Sequence, residues 1–159
     1  MKTFKPSFEV VKKNVERSLN YLLRNDMYLF EIGIHERTLA HRLAVYLENE
    51  FSSWNVDCEY NRNQYDLKLI RPSGLDGGDR RVFPDIIIHH RGTTDNLLAI
   101  ELKKKISEDA QAEDERKLNE YINRLGYHYG LFLLFETGST NHGIGRVEWF
   151  RHHSSQSQS

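Results

Sequence analysis

The sequence contains little that would stabilise a protein outside the cell or inside a membrane. Its single cysteine, Cys58, has no partner for a disulfide within the chain and no companion thiols for a zinc site. No apolar stretch approaches the roughly 18 residues needed to span a bilayer, and the N-terminus lacks the apolar region of a secretory signal. We therefore expect a cytoplasmic protein without a membrane partner.

The chain also lacks an excess of charge of either sign, because its formal net charge is -1. Proteins that bind nucleic acid through bulk electrostatics usually carry a clear basic excess, so any such binding must use a local cluster of basic residues or a partner that helps to hold the substrate. With 159 residues, 38% of them hydrophobic and 28% charged, the composition is that of one globular domain. We expect this domain to cover residues 1–150 and the polar tail at 151–159 to be disordered.

Hydrophobic periodicity predicts helices, strands and loops in a definite order. The predicted elements are a first helix at about 7–25, a second at 34–51, an alternating strand at 55–63, a long polar connection at 63–81, two apolar strands at 82–89 and 97–102, a third helix at 108–125, a buried strand at 129–136 and an edge strand at 146–150. The turn between the two apolar strands suits a hairpin, whereas the third helix suits a crossover to a parallel neighbour. The sequence therefore predicts an α/β sandwich of two or three layers around a mixed sheet.

Three ionisable side chains lie at the ends of the two apolar strands. Asp85 begins the first run, and Glu101 and Lys103 end the second. In a hairpin these ends meet, and Glu101 and Lys103 share one face because side chains alternate along a strand. Two carboxylates can hold a hard cation such as Mg²⁺, to which the Leu102 carbonyl could add an oxygen, and an adjacent ammonium can orient or activate the attacking water. The simpler alternative is a surface ion pair between Lys103 and one carboxylate.

Glu36 heads the apolar stripe of the second predicted helix, within about 40° of Leu43 and Leu47 at 100° per residue. An acid there can favour the N-terminal end of the helix dipole. Alternatively, Glu36 reaches the cation or a water bound to it and becomes the third acidic member of the site. The residues alone leave both interpretations open.

Five further residues are candidates for contacting a substrate. In the third helix, Lys117 and Tyr121 are one turn apart and flank the apolar stripe, so both could face the strand ends, although a solvated lysine and a packed tyrosine are the simpler interpretation. Arg62, Arg80 and Arg81 border the long connection and can grip phosphate, because the guanidinium group offers a planar fork of donors.

The chain resembles the PD-(D/E)XK nuclease superfamily. The residues that carry the resemblance are the pair Pro84-Asp85, the triplet Glu101-Leu102-Lys103, the preceding helix with Glu36, and the following helix with Lys117 and Tyr121. The segments "VDCEYNR", "PDIIIHHRG" and "NLLAIELKK" also look like those of a group of small bacterial members. The family has a restriction-endonuclease-like core of helix, three strands, helix and strand, and this order would cover roughly residues 34–136. The first predicted helix is then an addition to the core.

The resemblance implies a Mg²⁺-dependent phosphodiesterase, in which Mn²⁺ can substitute. By the family pattern, Asp85 and Glu101 would ligate the metal, Lys103 would position the water or steady the phosphate, and Glu36 would correspond to the acid that some branches carry in the first core helix. We expect a nuclease acting on DNA, and cleavage of both strands would favour a homodimer. The alternatives are a non-catalytic module of the same fold that binds nucleic acid or protein, and a nuclease directed at RNA.

Overall fold

A computed structural model of the chain describes residues 4–59, 84–104 and 108–152, together with four two-residue strands between residues 60 and 83. Within these residues the helices are α1 (Phe8–Glu31), α2 (Glu36–Glu50) and α3 (Glu108–Leu125). The strands that the structure describes are β1 (Asn55–Cys58), β2 (Arg62–Asn63), β3 (Asp66–Leu67), β4 (Leu69–Ile70), β5 (Arg80–Arg81), β6 (Ile86–His89), β7 (Asn96–Lys103), β8 (Tyr129–Glu136) and β9 (Gly143–Arg151).

Five strands form one mixed sheet in the order β1-β6-β7-β8-β9. Strands β6 and β7 form an antiparallel hairpin, and β7 lies parallel to β8 after the crossover through α3. Strands β1 and β9 pair antiparallel with their neighbours and form the two edges. The predicted α/β class, the mixed sheet and the hairpin are therefore confirmed. The short strands pair separately, β2 with β3 and β4 with β5.

The sheet lies between two helical layers. Successive side chains on its central strands point to opposite faces, so both faces of the sheet are apolar and each is covered by helices. On one face, Ile86, Ile88, Leu102 and their neighbours pack against α1 and α2 in the larger apolar cluster. On the other face, the smaller cluster contains Ile87 and Ala99 and packs against α3. Leu102 thus points away from the α3 layer, as predicted, and the architecture has three layers.

Helix α1 extends beyond its predicted end at about residue 25. The backbone at Asp26 leaves helical geometry, with φ -122° and ψ 21°, and the helix then continues to Glu31. Arg42 and Tyr46 of α2 both donate to Asp26 Oδ2, at 3.1 Å and 2.6 Å, so contacts distant in sequence stabilise this kink. The predicted boundary falls at the kink because Asn25 and Asp26 interrupt the apolar pattern.

Some predictions fall outside the described residues. These are the conformation of most of the connection at 63–81 and of the tail from residue 153 onward. No helix within the described residues combines the length and apolar character that crossing a membrane requires.

Candidate active site

The structure brings the first two predicted acids together where β6 begins and β7 ends. Asp85 directly precedes β6, whose first residue lies opposite Ile100. Because Asp85 is then near the end of β7, its Oδ2 accepts a hydrogen bond from the Leu102 N–H at 2.8 Å. The carboxyl groups of Asp85 and Glu101 are also hydrogen-bonded to each other.

The Glu101 side chain is buried on the α3 face of the sheet, where 2% of the residue is exposed. Tyr121, which is fully buried in α3, donates its hydroxyl to Glu101 Oε1 at 3.0 Å. Burial raises the pKa of Glu101 well above its ordinary value, and the charge of Asp85 raises it further. Glu101 therefore retains a proton that a solvated glutamate would release.

Asp85 is less deeply placed but is also affected by burial, which raises its pKa. Hydrogen bonds from the Leu102 N–H and from Glu101 lower the pKa, as does the charge of Lys103, but they do not reverse the shift. Two adjacent carboxyl groups with raised pKa values share a proton in the absence of a cation. A divalent cation would replace that proton and allow both groups to ionise.

Lys103 lies between two carboxylates on different helices. Its Nζ is 4.0 Å from Glu36 Oε2 at the start of α2 and 3.9 Å from Asp114 Oδ2 on α3. The Lys103 side chain is 29% exposed, so its ammonium is held near the acidic pair without being sealed from solvent. The structure thus places Lys103 in a charge network, and a surface ion pair describes this arrangement only in part.

Glu36 is the first residue of α2, where the helix dipole favours an acid. Its Oε1 also accepts from the Lys104 N–H at 3.3 Å, which ties the start of α2 to the end of β7. Its charge raises the pKa of Asp85, so the two carboxylates are close enough to interact. Both interpretations of Glu36 remain compatible with this position.

Lys117 also reaches the network. Its Nζ lies 3.1 Å from Asp114 Oδ1, and its side chain is 25% exposed. Burial lowers the pKa of Lys117, but the charges of Glu101 and Asp114 outweigh burial and raise it above the ordinary value. Lys117 and Tyr121 therefore face the strand ends together, one contacting Asp114 and the other contacting Glu101. Whether either contacts a substrate stays a prediction.

Asp114 is the main residue that sequence reasoning missed. Only 2% of it is exposed, it contacts both Lys103 and Lys117, and its Oδ2 is a buried oxygen with no hydrogen-bond partner among the described residues. A signal was present, because Asp114 lies three residues before Lys117 and seven before Tyr121, which puts all three on one helical face.

A cleft of about 300 Å³ opens beside the acidic pair. Asp85 and Glu36 line it, and the first two turns of α2 contribute Arg37 and His41 to its wall, with His35 just before the helix. Periodicity gave no reason to select these three residues, because they are exposed side chains on a helix whose apolar face alone was predicted. The cleft gives solvent and ligands a route to Asp85.

Cys58 lies at the same cleft, at the end of β1, and is exposed. The alternating strand predicted at 55–63 would bury Val56 and Cys58 on one face, but only Val56 is buried. Partial burial of the thiol nevertheless raises the pKa of Cys58 to about 11, and the charges of Asp57 and Glu59 contribute in the same direction. The thiol is therefore a poor nucleophile near neutral pH.

The three predicted phosphate-binding arginines cannot be placed in the site. Arg62 lies in β2, and Arg80 and Arg81 lie in β5, but their side chains are outside the part of the structure that is described. Their role stays a prediction.

The donors fit a hard cation of the Mg²⁺ type. The strand ends bring together four carboxylates, two ammonium groups and one tyrosine hydroxyl. Their net formal charge is -2 when all four acids are ionised. The acids are Glu36, Asp85, Glu101 and Asp114. Within the described residues, no three His, Cys, Asp or Glu side chains converge as a metal-binding group.

The Leu102 carbonyl could supply a further oxygen. The N–H and C=O groups of one strand residue point to the same side, and the Leu102 N–H points to Asp85.

Comparison of the chain with protein-family models, with curated proteins and with solved structures gives no match in any of the three.

Proposed function

We propose that this protein is a Mg²⁺-dependent nuclease that hydrolyses phosphodiester bonds, with DNA as its substrate. The observation that carries the proposal is the pairing of the half-buried Asp85 with the buried Glu101 at the joined ends of β6 and β7, with Lys103 on the same strand as Glu101. Buried like charges are costly unless a proton or a cation compensates them. A hydrolytic site gives a reason to retain such a pair at the edge of a cleft.

The architecture supports the same proposal. With the two-residue strands β2–β5 set aside, the order α2, β1, β6, β7, α3, β8 matches the helix, three strands, helix and strand that the resemblance to PD-(D/E)XK nucleases implies. We propose that these elements form a restriction-endonuclease-like core. Helix α1 is additional to that order, but it contributes Val11, Leu22 and Phe30 to the larger apolar cluster and so is an integral part of the domain.

The site residues would have distinct roles. Asp85, Glu101 and the Leu102 carbonyl would hold the cation, which supplies a water of lowered pKa and neutralises charge that develops on the phosphate. Lys103 would donate to a non-bridging phosphate oxygen or orient the attacking water, because its Nζ is held at the strand end. Tyr121 would keep Glu101 in the required orientation through its hydroxyl.

The direct test is cleavage of plasmid, linear duplex, single-stranded and branched DNA, with RNA beside them, in Mg²⁺, Mn²⁺ or EDTA. Cleavage that requires the metal and is lost in Asp85→Asn, Glu101→Gln and Lys103→Ala supports the proposal. Glu120→Gln is the matched control, because Glu120 lies on α3 but pairs with Arg124. If wild type and Asp85→Asn behave alike on every substrate, the catalytic proposal is refuted.

Two further readouts separate the alternatives. Calorimetric titration with Mn²⁺ should show binding that Glu101→Gln removes, whereas a non-catalytic module of the same fold has no need to bind the ion. Preference for RNA over DNA in the substrate panel would identify an RNA-directed enzyme. Double-strand breaks made in one binding event, with a concentration-dependent rate, would support a homodimer.

A further inference from the structure

Helix α1 has an exposed stripe that the candidate active site does not use. We call it the α1 stripe, and it consists of Arg17, Asn20, Tyr21, Arg24 and Tyr28. Exposure is substantial, at 67% for Tyr28, 44% for Tyr21 and 61% for the Arg17 side chain. Of the six large apolar or aromatic residues that are exposed within the described residues, five lie on α1 or beside it.

The spacing of the stripe is regular. At 100° per residue, the four members before the kink at Asp26 fall within a sector of about 100°, and Lys13 continues the row by one turn. Arg17 and Arg24 are seven residues apart, which is about 10 Å along the helix, and Tyr21 lies between them. Arg17, Asn20, Tyr21 and Arg24 also line a shallow depression.

Charge on the stripe is predominantly positive. Between residues 13 and 28 the helix carries two acids, Glu16 and Asp26. Glu16 is turned by roughly 90° from the middle of the stripe, and Asp26 is bound by Arg42 and Tyr46. The Glu50 carboxylate lies 3.5 Å from Arg17, which is a weak, exposed contact.

We propose that the α1 stripe binds a single-stranded segment of a polynucleotide, with the arginines contacting phosphates and the tyrosines stacking on bases. One strand of a stacked helix rises about 3.4 Å along its axis per nucleotide, so the 10 Å separation of the arginines corresponds to an axial rise of about three nucleotides. Aromatic rings interleaved with cations are the usual means of binding single strands without sequence preference. A second copy of the chain is the rival occupant, and the oligomeric state of the wild type and of a tyrosine variant distinguishes it from a polynucleotide.

The stripe also leads toward the candidate active site. Helices α1 and α2 run antiparallel, since Arg17 contacts Glu50 whereas Tyr21 stacks on Tyr46 nearer the start of α2. The turn after α1 contains Gly33, whose carbonyl oxygen accepts from Lys104 Nζ at 3.1 Å, beside Lys103. The Tyr28 end of the stripe is therefore the end closer to the acidic pair. This inference rests on the proposed function for its biological role, but it can be tested without catalysis.

The test measures fluorescence anisotropy of a labelled oligothymidine in EDTA over a series of NaCl concentrations. The Arg17→Ala/Arg24→Ala variant should bind more weakly, and the slope of log K against log salt should shrink by about 1.4, since each contact with a single strand contributes about 0.7. Tyr28→Ala should lose roughly tenfold in affinity. Arg124→Ala/Arg146→Ala is the control with the same loss of charge on α3 and β9, and it should bind like wild type.

Two comparisons keep this proposal separate from the proposed nuclease activity. Glu101→Gln should bind the oligonucleotide with wild-type affinity, and Arg17→Ala/Arg24→Ala should hydrolyse the small substrate bis(p-nitrophenyl) phosphate at the wild-type rate. Equal affinity and equal salt slope in the stripe and control variants would overturn the proposal. A wild-type dimer that Tyr21→Ala/Tyr28→Ala converts to a monomer would also overturn it, since the face would then bind a second copy.

Discussion

Replacing Glu101 by glutamine removes the ionisable group that the fold buries and keeps an oxygen that can accept from the Tyr121 hydroxyl. In EDTA we expect this variant to be more stable than wild type at neutral and alkaline pH. Burial and the charge of Asp85 raise the pKa of Glu101, so the folded protein retains a proton that the unfolded chain releases. Glutamine has no such proton to retain.

The sign and size of the effect follow from linkage. In acid, Glu101 is protonated in both the folded and the unfolded state. Because its pKa in the folded state is raised, the free energy of unfolding falls as pH rises from the ordinary glutamate pKa to the raised one. The slope is at most about 1.4 kcal/mol per pH unit. For a domain of this size about 1 kcal/mol corresponds to 2–4 °C in Tm, so the variant should gain at most roughly 3–6 °C over wild type per pH unit in that window.

Thermal and urea unfolding between about pH 5 and pH 9 in EDTA would measure this. Glu101→Ala is the comparison variant, because it leaves the buried Tyr121 hydroxyl without its acceptor and should lose roughly 1–3 kcal/mol, with a further loss from the cavity. Added Mg²⁺ should raise the Tm of wild type and leave that of Glu101→Gln unchanged. A constant offset between Glu101→Gln and wild type at all pH values would refute the buried-charge argument.

Three other substitutions or treatments test separate parts of the structure. Asp114→Asn should lower kcat for DNA cleavage by about 10- to 100-fold with little change in KM, since Lys103 loses a partner that holds it; an unchanged kcat would contradict this. Because the pKa of Cys58 is raised to about 11, alkylation by iodoacetamide should be slow at neutral pH and faster in urea, as mass spectrometry would show; equal rates would contradict the shift. Asn96→Ala should lower the free energy of unfolding by roughly 1–3 kcal/mol at unchanged m-value, because the Asn96 amide donates to the Leu125 carbonyl at 2.7 Å. An unshifted midpoint of urea unfolding would exclude a role for that hydrogen bond.

The parts of the fold that the sequence predicted are those that depend on local pattern. The hairpin follows from two apolar runs around a turn, and the shared face of Glu101 and Lys103 follows from the two-residue period of a strand. The crossover to a parallel β8 follows from a helix of 18 residues between two buried strands. None of these inferences requires a contact between distant side chains.

The parts that were missed depend on such contacts. Periodicity gives the face of α3 on which Asp114 lies, but the strand end that this face meets depends on how α3 packs across β7 and β8. The continuation of α1 beyond Asp26 likewise depends on Arg42 and Tyr46, which belong to another helix. The exposure of Cys58 reflects its place at the end of an edge strand, which alternation alone does not reveal.

Stabilisation of the fold does not explain why these charged residues cluster at the strand ends. Buried ion pairs are often no better for stability than well-packed apolar residues, and both faces of the sheet already have apolar clusters. Its pH dependence is more informative. The rise in pH that removes the shared proton of Asp85 and Glu101 destabilises the fold without a cation, but it also creates the doubly ionised pair that a cation binds. Mg²⁺ affinity should therefore increase over the same pH range in which stability in EDTA decreases, because one titration controls both.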